Sequence, residues 1–217
     1  MSFQALTVFI LPVLTGVLLA HVLWPERTLQ ALLLKVCLGI GVGLGARSLL
    51  YFAYLLFFAG QNWFIVIELA AFLAVLVLTV RREIQQGYQF LPPGWRPRLA
   101  GSGRLLVCIA GIVFLISLVS TANYLLRRRQ GDWDAWMMYN RAARFAYLDQ
   151  SHWLGSFSPR MDPLFHADYP LLLAMNIAAG WQALGKDSAG VPMVQSGLFA
   201  IGCVGLIASS VGSVKSI

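Results

Sequence analysis

Apolar residues in this chain come in blocks of about 20 or more, the length an α-helix needs to cross about 30 Å of hydrocarbon at 1.5 Å per residue. Helices of soluble proteins alternate an apolar stripe with a polar one, whereas these blocks are apolar all round. The bulk composition agrees. Of 217 residues, 59% are hydrophobic and 12% charged, against about 45–50% and about 25% in soluble domains. Mean hydropathy is +0.72.

The blocks predict transmembrane helices at about 4–24, 29–59, 63–80, 105–126 and 191–211. The first carries no Lys or Arg before Arg27 and lacks the basic start of a signal peptide, so it reads as a span. The expected fold class is all-α, a polytopic membrane helical bundle of about five transmembrane helices with an external loop carrying interfacial helices. Residues 1–126 form four spans with a basic cytoplasmic loop at 81–104. Residues 127–190 form the external loop with two juxtamembrane helices, and 191–217 the fifth span and tail.

Orientation follows from charge. Lys+Arg is 16 and Asp+Glu 9. The 81–104 loop holds Arg81, Arg82, Arg96, Arg98 and Arg104 against Glu83 alone. Short basic loops stay cytoplasmic. Counting crossings from there puts the N-terminus outside, the Arg27 turn inside, and both the Gly60–Asn62 turn and the 127–190 loop outside. Arg127, Arg128 and Arg129 dissent locally, but six acids offset the seven basic residues of that loop. The excess positive charge is topological, and no nucleic-acid partner is expected, because no basic patch interleaved with aromatics is present.

Polar residues inside the spans are costly and need partners. Lys35 is expected to reach for the interface, and Glu68 to pair with Arg47. The glycines at 39, 41, 43 and 45 suggest close helix packing. A nucleotide-binding reading of them fails, because no strand precedes them and no βαβ unit surrounds them. Cys37, Cys108 and Cys203 lie in apolar blocks with no metal spacing and read as buried small hydrophobes.

The external loop concentrates the chemistry: six of the nine acids and two of the three histidines, His152 and His166. One helical piece runs from Gly131 to about Leu148 through Asp132, Trp133 and Asp134. Asp132 or Asp134 is expected to cap its start, where the helix dipole favours a carboxylate. A second opens at His166-Ala167-Asp168-Tyr169-Pro170 and runs to Leu184, with Gly185 as its stop. It is short for a span and reads as interfacial or re-entrant.

These residues resemble the first external loop of the GT-C membrane glycosyltransferases, which include protein mannosyltransferases and aminoarabinose transferases. The similar stretches are Asp134-Ala135-Trp136, Ala142 and Ala143, His166 through Leu171, and Leu184-Gly185. They lie within about 105–211, half the chain. The resemblance implies an enzyme of the bacterial cytoplasmic membrane. It would move a sugar from a polyprenyl-phosphate donor to an acceptor at the outer face. Asp134 would be the catalytic base, with Asp132 as a second carboxylate. A divalent metal is an open cofactor, with Asp132 and Asp134 its candidate ligands. His166, Asp168 and Tyr169 would bind substrate, and Arg141, Arg144 or Arg127, Arg128 and Arg129 would neutralise phosphate. Two departures stand out. The acid that directly follows the first in many members is Ala135 here, and Ala167-Asp168-Tyr169 separates His166 from Pro170. Such enzymes carry many more spans, so the chain is expected to be an N-terminal fragment, and the three leading helices are extra.

Simpler readings stand beside these: Asp132 and Asp134 as helix caps, His166 as an interface hydrogen-bonder, His21 and His152 as structural, Arg127–Arg129 as headgroup anchors, and the Trp and Tyr residues as an aromatic belt. Two other functions compete. One is a non-enzymatic membrane subunit. The other is a transporter component whose path is lined by Lys35, Arg47 and Glu68.

Overall fold

The computed structural model describes residues 3–24, 26, 28–86, 101–158, 160 and 170–214. Among them every regular element is helical. The order is α1 (Phe3–Thr7), α2 (Ile10–Leu23), α3 (Leu29–Phe58), α4 (Phe64–Gln86), α5 (Gly101–Arg127), a π-helical stretch (Ala135–Asn140), α6 (Arg141–Leu148), a 3₁₀ stretch (Gln150–Phe157), α7 (Leu172–Leu184) and α8 (Gly190–Val214). Four helical segments are long and apolar enough to cross a membrane: Gln4–Leu23, Ala31–Phe58, Phe64–Gln86 and Gly190–Ser209. Shorter apolar helical stretches lie at Gly111–Arg127 and Leu172–Leu184.

Local chemistry sets the boundaries. Pro12 in the first turn of α2 has no N–H to give back to the preceding turn, so α1 and α2 are separate helices. Thr28 caps α3, its hydroxyl accepting from the Ala31 N–H at 3.1 Å. Gly60, at φ 83°, makes the turn after α3, with the Gln61 N–H donating to the Phe58 carbonyl at 3.1 Å. Gly185 ends α7 in the left-handed region at φ 71°, as its position after the apolar run predicts. The third apolar helix outruns its expected end at Val80 and continues to Gln86. An apolar run marks the width of the hydrocarbon, whereas the polar residues Arg81–Gln86 are themselves good helix formers.

Helices pack in lipid through close backbone approach, since lipid tails are as apolar as leucine. Here α2 crosses α3 at three glycines. A Cβ on Gly16 would collide with the Gly39 carbonyl and the Gly43 backbone, and a Cβ on Gly43 with the Pro12 carbonyl. Gly41 and Gly45 face open space, so only half of the glycine run makes the contact. On another side of α3, Gly202 of α8 packs on Ile40 and Gly205 on Cys37. Helix α5 stands at the edge of the bundle and touches α8, where Leu125 reaches Gly197. Its residues Gly111–Ser120 are exposed. Cys108 and Cys203 are also exposed rather than buried as expected, because they fall on the outward faces of α5 and α8; Cys37 is half-buried.

Two polar clusters fix the helices to one another. Near the Leu23–Leu29 connection, Lys35 donates to the Glu26 carbonyl at 2.5 Å and lies 3.3 Å from His21 Nδ1. His21 Nε2 in turn lies 3.0 Å from Glu83. Lys35 is therefore buried among protein groups instead of reaching out, and His21 has the structural role expected of it. Farther along, Arg47 Nε approaches Glu68 Oε1 at 2.9 Å, with both side chains buried. The pairing expected from sequence is therefore present.

The Phe58 end of α3 carries α6, the 3₁₀ stretch and α7. Ser48 donates to the Leu172 carbonyl at 2.8 Å, Arg47 Nη2 to the Ala179 carbonyl at 3.2 Å, and Tyr51 to the Ala146 carbonyl at 3.2 Å. Gln150 accepts from Tyr54 and from the Gly60 N–H, and donates to Gln182. Helix α7 runs antiparallel to α8, joined through Trp181 to the Ser188 carbonyl and Asn176 to Gln195. Its first turn lies level with Ser48, ten residues before the end of α3, or about 15 Å along that helix. It is a short helix of 13 residues packed among longer ones.

Candidate functional site

The segment that follows α5 turns sharply at Gly131, φ 79°. The turn folds Asp132 back onto α5. Its carboxylate pairs with Arg128, and Tyr124 donates to it at 2.9 Å. The Arg128 guanidinium also lies over the Tyr124 ring at 5.7 Å. Arg127 donates to Asn123 at 3.0 Å, within α5. Arg127, Arg128, Arg129 and Asp132 line an open hollow of about 630 Å³, with Ala189 also in its wall.

Asp134 lies two residues on, exposed, with helical φ −61° and ψ −43° and no capping hydrogen bond. An N-cap needs extended dihedrals to turn its side chain onto the free N–H groups. Asp134 is already inside the helix, because the Asp132 carbonyl accepts from the Trp136 N–H and starts it earlier. Neither acid therefore behaves as the simple cap that the sequence suggests: Asp132 is bound to Arg128 and Tyr124, and Asp134 presents its carboxylate outward.

The expected helix over 131–148 opens as a π-helix before becoming the α-helix α6. Wide turns of this kind are frequent at functional sites. Asn140 ends the π stretch and is buried, its Nδ2 donating to the Gln130 carbonyl at 2.9 Å. A second hollow, about 490 Å³, lies between the π stretch, the start of α7 and α8. Leu172, Ile177 and Phe199 give it an apolar wall; Gln130, Asn140 and Gln195 add polar groups. Gln130 and Gly131 line both hollows, so the cationic mouth and the apolar groove adjoin.

Not all the expected residues meet here. Arg144 donates to Asp187 at 2.8 Å and stacks over Trp181, tying α6 to the α7–α8 link. Neither Arg141 nor Arg144 lines the cationic hollow. Burial and the nearby Asp187 carboxylate push the Tyr147 phenol above its usual range. His166, Asp168 and Tyr169 lie outside the described residues. His152 is exposed and lies 2.9 Å from Asp149, three residues away, in keeping with a structural role. Among the described residues no three His, Cys, Asp or Glu side chains gather as metal ligands. Asp132 is engaged by Arg128 and Tyr124.

The groove residues Gln130, Asn140 and Gln195 escape a sequence reading. Their burial depends on α7 folding back beside α8, which no local pattern announces. The wall of the groove, by contrast, is drawn from the apolar runs themselves.

The fold defines the class: a membrane-embedded protein whose described residues form only helices, four of them long and apolar enough to cross a bilayer. No protein family, no curated protein and no solved structure matches the chain.

Proposed function

We propose that the chain is a membrane glycosyltransferase of the GT-C kind, or part of one, that takes its sugar from a polyprenyl-phosphate donor at the outer face of the membrane. In this reading α5 is a fifth crossing and residues 127–190 form the external loop. One observation carries the reading: a hollow lined by Arg127, Arg128 and Arg129 opens directly beside an apolar groove at the end of α5. A ligand that joins a phosphate to a hydrocarbon chain has the matching shape and polarity. Guanidinium groups suit phosphate because their planar donors form charge-assisted hydrogen bonds.

The chemistry then falls to Asp134. The acceptor hydroxyl oxygen bonds to the anomeric carbon of the sugar while the bond from that carbon to the phosphate oxygen breaks. The hydroxyl proton passes to the Asp134 carboxylate. The electron pair of the broken bond leaves on the lipid phosphate, where the arginines offset its charge. Asp132, held by Arg128 and Tyr124, keeps the arginine cluster in place rather than accepting the proton.

The test is sugar transfer in membranes supplied with a labelled polyprenyl-phosphate sugar. Asp134→Asn should lower transfer by about 10²–10⁴-fold with expression unchanged. Unchanged transfer by the variant rejects the assignment. The transporter alternative receives no support from Arg47 and Glu68. They lie buried against each other and against the Ala179 carbonyl rather than lining a path.

A further inference from the structure

Two residues that line the groove beside the cationic hollow each carry a buried acceptor atom with no hydrogen-bond partner among the described residues: Asn140 Oδ1 and Gln130 Oε1. Asn140 is 1% exposed. Its amide orientation is fixed, because Nδ2 donates to the Gln130 carbonyl and so leaves Oδ1 as the unused end. An unsatisfied buried acceptor is costly, and few survive in a folded protein without a purpose or a ligand. Both residues line the groove, and Gln130 also lines the cationic hollow.

A hydrocarbon chain alone would leave these acceptors empty, whereas a ligand with hydroxyl or amine donors a short distance from its phosphate would satisfy them. The groove wall also offers the aromatic rings of Tyr139 and Phe199, flat apolar faces against which a sugar ring packs. Resting on the donor reading above, we propose that Asn140 and Gln130 recognise the sugar of the lipid-linked donor, accepting hydrogen bonds from its hydroxyl or amine groups. They act as specificity residues and take no part in the chemical step. The arginines then bind any polyprenyl phosphate, and the two amides distinguish the glycosylated lipid from the bare one.

Binding by the full chain in lipid nanodiscs separates the two roles. The probes are decaprenyl phosphate alone, and the same lipid carrying mannose or aminoarabinose. Wild type should bind at least one sugar-bearing lipid more tightly than the bare one. Gln130→Met keeps the backbone carbonyl that Asn140 uses, so it leaves the local fold intact. It should weaken only the preferred sugar-bearing lipid, by about three- to tenfold. Asn140→Leu should do the same, and if it loses both lipids through misfolding, Gln130→Met decides. Arg128→Gln should weaken every lipid alike.

If Gln130→Met leaves the sugar preference unchanged, or wild type shows none, the amide role is overturned while the donor site stands. An ordered water filling the acceptors gives that result. If wild type binds no polyprenyl phosphate at all, the donor reading fails and this role fails with it.

Discussion

Arg47 and Glu68 show what a single pair of residues does in this protein. Their side chains are 1% and 6% exposed. The Nε–Oε1 approach of 2.9 Å is misaligned for a hydrogen bond, so charge holds the pair, while Arg47 Nη2 is bonded to the Ala179 carbonyl. Removing one partner of a buried pair strands the other charge. Glu68→Gln should therefore destabilise the protein by about 3 kcal/mol, read as a lower unfolding midpoint in detergent. Arg47→Met with Glu68→Met should recover most of that loss. A transport path would instead alter flux with stability unchanged. This pairing was legible because an acid in an apolar run has to find a cation. The unused acceptors of Asn140 and Gln130 were not, since they depend on which neighbours the folded chain leaves out.

At the scale of elements, the apolar runs announce the helices, but how the helices meet is only half announced. Four alternate glycines at 39, 41, 43 and 45 look equivalent in sequence. The 3.6-residue turn puts Gly39 and Gly43 on one face against α2, and Gly41 and Gly45 elsewhere. Gly16→Leu should separate α2 from α3 and cost roughly 1–3 kcal/mol. Gly41→Ala should cost nothing, since a Cβ there meets no atom within contact range. Thermal unfolding of the two variants in the same detergent checks this; equal losses would contradict the crossing. The π-helical opening at Ala135–Asn140 carries no sequence mark, because any apolar run reads as an ordinary helix until its neighbours set the turn width. The close of α7 was legible in Gly185 alone, for the chain needs a left-handed residue there.

For the whole molecule, the helices divide into a tight group and an outlier. Helices α2, α3, α4 and α8 are bound by glycine contacts, the buried Arg47–Glu68 pair and the His21–Glu83 contact, whereas α5 meets α8 and shows an apolar face outward. Helix α6, the 3₁₀ stretch and α7 rest on the Phe58 end of α3 through Ser48, Tyr51 and Gln150. The proposed function requires that end to lie on the non-cytoplasmic side, as charge counting leads one to expect. Cysteine labelling in intact cells tests the placement most directly. In a chain whose Cys37, Cys108 and Cys203 are replaced by alanine, Ser151→Cys should react with a membrane-impermeant maleimide, while Gln85→Cys should react only after the membrane is opened. The reverse pattern would put Asp134 and the arginine hollow in the cytosol and contradict the assignment.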